Sequence, residues 1–130
     1  MKVFRSQEHP FRAVDSASFV GPAETKLLAS SDEGTPVNVY HVRFADGART
    51  NWHTHSGAQW LIVTEGSIRV QSAGQPPHDV AAGDAVVFAP NERHWHGATP
   101  GRSGVHVAVN VNLQTTWLEP VSDEEYGVQR

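Results

Sequence analysis

His53 and His55 stand two apart in the run NWHTHSGAQW. On an extended strand, residues at that spacing point to one face. Gln59 follows four residues later, past Ser56-Gly57, where the chain can bend and return. A second His-x-His pair, His94 and His96, comes from the distant run NERHWHGA. Neutral imidazoles suit Zn, Fe, Ni, Cu and Mn, and a side-chain carbonyl oxygen suits the harder of these ions. Three imidazoles and one oxygen leave one or two coordination positions open, which is what chemistry on a bound oxygen atom requires. A His-x-His pair serves equally well at a surface or within a hydrogen-bond network, and spacing alone leaves both uses open.

The elements that must hold these residues read as strands. Eleven Gly and eight Pro cut the 130-residue chain into short pieces. Between them lie alternating, β-branched stretches at Val37–Phe44, 59–64, 67–72, 84–89 and 105–112. Turn chemistry joins them at Asp46-Gly47, Glu65-Gly66, Gly74-Gln75-Pro76-Pro77 and Gly83-Asp84. Closely spaced strands with such turns predict an all-β sandwich or barrel. Asp123-Glu124-Glu125-Tyr126 after Ser122 predicts a capped helical turn, and the stretch from Glu119 to Glu125 reads as a solvated acidic end.

Composition sets the remaining bounds. The length suits one domain with one core. With 38% apolar and 18% charged residues, the chain is neither disordered nor membrane-like. The net charge of −4 and the scattered Lys and Arg residues give no electrostatic case for nucleic acid. The absence of cysteine excludes disulfides, thiolate metal sites and thiol nucleophiles. No apolar run is long enough to span a bilayer, and the first residues lack the apolar core of a signal peptide. Residence in the cytoplasm is the expectation.

Two motifs carry a family resemblance. Gly47, His53, His55, Gln59 and Gly66 reproduce the intervals of the first cupin motif. Gly83, Pro90 and His94 resemble the second, with one residue too many before Pro90 and one too few after it. The resemblance implies one cupin domain over residues 1–130, a double-stranded β-helix or jelly-roll barrel, with metal motifs at 47–66 and 83–96. The first motif normally ends its ligand set in Glu, where this chain has Gln59. With the run His94-Trp95-His96-Gly97-Ala98-Thr99-Pro100, that change resembles small bacterial monocupins. These include manganese-dependent cupin hydroxynitrile lyases and relatives of carboxymuconolactone-decarboxylase cupins. Carried over from those lyases, the metal ligands are His53, His55, Gln59 and His94. The ion is one divalent metal, manganese by resemblance, with iron, nickel or zinc also suited to the donors. An amide in place of a carboxylate leaves the site more positive, which favours Lewis-acid work on an oxygen atom.

Alternation in 105–112 puts Val105, Val107, Val109 and Val111 on one face and His106, Ala108, Asn110 and Asn112 on the other. The valines could face a core. In a cupin, however, the barrel interior is the active site, so the resemblance turns His106 and Asn110 inward and leaves the valines to a second layer. It likewise turns Tyr40, Val42 and Phe44 inward. The expected catalytic residues are His106, which would move the proton, and Tyr40 and Asn110, which would orient the substrate. In the lyases the counterpart of Tyr40 is small and that of Asn110 is Gln, so a different substrate is implied. The expected function is a metal-dependent lyase on a small hydroxy or carbonyl compound. The alternatives are an iron-dependent dioxygenase or hydrolase on the same site, and a non-catalytic small-molecule-binding cupin. The resemblance implies a homodimer or higher homo-oligomer, with no nucleic-acid or membrane partner. Trp52 and Trp60 read as packing residues, and Trp95 faces away from its flanking histidines.

Overall fold

The computed structural model describes residues 1–127. It comprises twelve strands and two short helical pieces in a curled, nearly all-β jelly roll. In chain order the strands are β1 (Arg12–Ala13), β2 (Phe19–Val20), β3 (Ala23–Ser31), β4 (Val37–Phe44), β5 (Arg49–Thr50) and β6 (His53–His55). They continue as β7 (Gln59–Ser72), β8 (His78–Ala81), β9 (Ala85–Phe88), β10 (His94–Ala98), β11 (Gly104–Val111) and β12 (Thr115–Trp117). A 3-10 turn covers Ser6–Glu8, and α1 covers Asp123–Tyr126.

Two antiparallel layers share one strand. The first runs β1-β3-β4-β11-β7-β9, and the second runs β8-β7-β10-β5-β2, with β6 between β10 and β12. The 14-residue β7 belongs to both. The turn expected at Glu65-Gly66 is therefore a correction: the chain does not reverse there but crosses from one layer to the other. Turn-forming composition is equally suited to a sharp bend within a strand. Gly66 sits at φ 65°, and a Cβ on it would meet the Ser103 carbonyl oxygen at 2.1 Å. Only glycine fits both conditions.

The layers close on a core of Val42, Phe44, Leu61, Val63, Ile68, Val70, Phe88 and Ala108. These inward positions alternate with outward ones along β4, β7 and β11, as a pleated sheet requires. A second cluster forms outside β10, where Trp52 and Trp95 meet Val121 and Tyr126. Hence all of β10 is buried: one face looks into the barrel and the other lies under the C-terminal segment. In that segment Glu119, Glu124 and Glu125 are exposed, as a solvated acidic end requires, while Val121 and Tyr126 are buried. Ser122 and Glu125 form a capping box on α1, and Asp123 pairs with the buried Arg49 at 3.0 Å. Arg49 also donates to the Val121 carbonyl, and its guanidinium lies 4.4 Å over the Tyr126 ring. Trp52 and Trp95 pack as expected. Trp60 does not: it stands half exposed on the outer face of β7.

Candidate metal centre

Three short segments deliver the histidines to one end of the barrel. His53 on β6 lies opposite His94 at the start of β10. Thr115 on β12 lies opposite His55. Gln59 opens β7 opposite Phe88 and Asn110. The Asn91 amide donates to the His55 carbonyl at 2.7 Å, tying the loop before β10 to β6. Gln59, His53, His55, His94 and His96 are all buried.

Each ring has a fixed Nδ1. His53 Nδ1 donates to the Asn51 carbonyl at 2.8 Å, and His94 Nδ1 donates to the Glu92 carbonyl at 2.7 Å. A carbonyl can only accept, so these nitrogens carry the protons and each Nε2 keeps a lone pair. His55 Nδ1 lies 2.8 Å from Thr115 Oγ1, and its Nε2 is buried without a partner. Burial pushes all these rings toward the neutral form: His94 to about 4, and His53 and His55 in the same direction. For His53 the neighbouring His94 adds to the effect. Gln59 completes the ring with an oxygen, its Oε1 lying 3.4 Å from His94 Nε2. Imidazole lone pairs and a carbonyl oxygen are thus buried close together. That arrangement is repulsive by itself and is relieved by a cation.

The ring nitrogens of His53, His94 and His96 lie within 4.8 Å of one another, a three-histidine cluster able to hold a metal ion. His55 stands beside it, its ring centroid 4.9 Å from that of His53 and 5.1 Å from that of His94. His96 is thus a member of the cluster that the sequence placed outside the ligand set. It sits two residues deeper along β10, opposite Val70. Its Nδ1 is 2.9 Å from His106 Nε2, while its own Nε2 and His106 Nδ1 are buried and unpartnered. Burial lowers His106 to about 3 and drives His96 well below its ordinary value, with His106 as the next cause for His96.

These groups border a cavity of about 310 Å³. Tyr40, Val42, His106 and Asn110 line it, as the inward alternation of β4 and β11 predicts. Phe44 does not; it packs behind, its ring centroid 5.3 Å from that of His106. The Oδ1 of Asn110 accepts from Gln59 Nε2 at 2.8 Å. No motif pointed to the cavity's outer wall, Phe19 and Trp117. The Trp117 ring stands 4.7 Å from that of His53 and 5.8 Å from that of Phe19. Across Phe19, Tyr40 and Trp117 lies a wider hollow of about 560 Å³, bounded by Arg12, Val14 and Leu27. It holds none of the clustered rings.

Residues 40–110 match the cupin domain family. The chain belongs to that family, and the curled jelly roll is its barrel. Over 111 residues it is 39% identical to a protein named (R)-mandelonitrile lyase from Granulicella tundricola, covering 83% of this chain and 85% of the relative. The crystal structure of a cupin-like protein from Thermotoga maritima MSB8 is also 39% identical, with a TM-score of 0.83 over 88% of this chain and 89% of that one. The polyketide cyclase RemF of Streptomyces resistomycificus shares the fold at 18% identity, with a TM-score of 0.74 over 97% of this chain and 90% of that one.

Proposed function

We propose that the chain is a metal-dependent lyase that cleaves a small cyanohydrin-like hydroxy compound to a carbonyl compound. The observation that carries this reading is the presence of a neutral, buried histidine, His106, in the same cavity as the converging donors. The name of the Granulicella tundricola relative supports it. The ligand set is His53, His55, Gln59 and His94. Motif spacing supports this set, with His55 beside the cluster of His53, His94 and His96, and with His96 facing His106. When bound, the divalent ion, manganese by analogy, supplies Lewis-acid polarisation of a substrate oxygen.

The chain's own residues do the rest. His106, whose ring borders the cavity, accepts the substrate hydroxyl proton. The bond between the hydroxyl carbon and the nitrile carbon then breaks. Its electron pair leaves with cyanide while the C–O bond becomes the carbonyl. The proton on His106 returns to cyanide, so the products are an aldehyde and hydrogen cyanide. The link to His96 holds the His106 ring in place. Tyr40 and Asn110 border the substrate, and Trp117 and Phe19 close the cavity against bulk water.

Manganese-loaded protein incubated with mandelonitrile tests the reaction. Aldehyde above the background rate is expected. None above background overturns the lyase, and oxygen uptake by iron-loaded protein with a phenol or dicarbonyl would establish the dioxygenase instead.

We also propose that a second copy covers the outer face of the first layer. Ala29, Val39, Val109, Trp60 and Val87 lie side by side across five strands, with Val107 and Ile62 in the next row. None carries charge, so a two-fold axis sets apolar against apolar. Met1 and Phe4 border Val37 and Val39 at one edge. Met1, Val3, Phe4, Trp60, Ile62 and Val87 are all well exposed. A stable interface buries roughly 800 Å² per partner.

A further inference from the structure

Gln59 carries two opposite atoms at the end of one torsion: an oxygen that can bind a metal ion and an amide nitrogen that cannot. Its side chain is buried, so water does not choose between them. Oε1 faces His94 Nε2 at 3.4 Å. Since His94 Nδ1 holds the ring proton, that approach is lone pair to lone pair. Turning the amide over would replace it with an N–H donated to His94. Something must oppose the turn.

The opposing group is on the next strand. Asn110 of β11 pairs with Gln59 of β7, and both side chains point into the barrel. Gln59 Nε2 donates to Asn110 Oδ1 at 2.8 Å, which commits the amide nitrogen away from the histidines. We propose that Asn110 is a positioning residue that locks the Gln59 amide with its oxygen toward the metal ion, and so sets how tightly the ion is held. This rests on the ligand set His53, His55, Gln59 and His94. It also gives Asn110 a task separate from touching substrate.

An acceptor is what the lock requires. Asp at position 110 accepts but cannot donate, so it preserves the amide orientation and bars the joint flip of both amides that Asn permits. Ala removes the acceptor. The test is the dissociation constant for Mn²⁺, read by competition with a chromogenic chelator. The proteins are the wild type, Asn110→Ala, Asn110→Asp, Gln59→Ala and the Gln59→Ala/Asn110→Ala double variant. Asn110→Ala is expected to weaken Mn²⁺ binding by about 10- to 100-fold, as loss of a partner behind a ligand does. Asn110→Asp is expected to bind as tightly as the wild type or tighter. In the Gln59→Ala background, Asn110→Ala is expected to change binding by less than about threefold, because its effect passes through Gln59.

An Asn110→Ala protein within threefold of the wild type overturns the lock alone. So does an equal weakening in both backgrounds, or an Asn110→Asp protein as weak as Asn110→Ala. A wild type that takes up no Mn²⁺, or that binds it no better than His53→Ala, overturns the ligand set and the lock with it.

Discussion

In the proposed reaction His106 carries the proton. Its ring is fully buried and held neutral by that burial, so it is in the base form at any ordinary working pH. Replacing it with Ala should lower kcat by about 10²- to 10⁴-fold, the usual contribution of a positioned base. Bound metal should stay near the wild-type level, because His106 is not among the proposed ligands. Steady-state kinetics with elemental analysis of the same sample checks both. Loss of the metal along with the rate would make His106 structural. The proposed donors His53, His55, Gln59 and His94 could be picked out of the sequence because each lies in a short motif of fixed spacing. His96 was harder to place. Position 96 shares a strand face with position 94 under any β reading, and its contact with His106, ten residues away in sequence, is what distinguishes it from His94.

At the scale of elements, β12 and β7 matter most. The pairing of β12 with β6 brings Thr115 to His55 and Trp117 to His53. Nothing local in the run TTWLEP announces that pairing, which is why the cavity's outer wall was not legible. Trp117 is partly exposed while its ring covers His53. Trp117→Ala opens the cavity to water and removes an aromatic surface worth roughly 0.5–1.5 kcal/mol to a bound ring. KM for an aryl cyanohydrin should rise several-fold while the metal stays bound; an unchanged KM would remove Trp117 from the substrate wall. In β7 the bend at Gly66 joins the layers, and there composition pointed to a turn. Sequence identifies a glycine-dependent conformation but not whether the chain reverses or continues. Gly66→Ala should lower the melting temperature by several degrees, since the Ser103 carbonyl occupies the Cβ position and the backbone must move. A melting temperature unchanged in that variant would show the bend to be tolerant.

For the whole molecule, buried histidines and the outer apolar face make separate demands. Burial lowers His53, His94, His96 and His106 from 6.5 in the folded state. Below pH 6.5 the unfolded chain takes up protons that the folded chain refuses until about 4 at His94 and about 3 at His106. The unfolded state therefore binds more protons in that window, and stability falls as the pH drops through it. Above 6.5 these rings are neutral in both states and contribute no slope. The urea midpoint of metal-free protein should thus decline steadily from pH 6.5 toward 4; a flat midpoint would contradict the burial of these rings. The outer face belongs to the same scale. The alternation in β11 was legible in the sequence, but which side meets the barrel was not, because apolar residues could face either a core or a partner. The barrel side proved to be the polar one, leaving the valines outward. Ile62→Asp places a charge in that face and should convert a dimer to a monomer by light scattering. A monomeric wild type would leave the face without a second copy.

The central claim is that three histidines and one amide oxygen hold a divalent ion in this cupin barrel. Its most direct test is the number of first-row metal ions bound per chain after loading with Mn²⁺ and desalting, measured by elemental analysis on the wild type and on His53→Ala. One ion per chain is expected in the wild type and near zero in His53→Ala. A wild type that retains no metal, or a His53→Ala protein that retains as much, would contradict it.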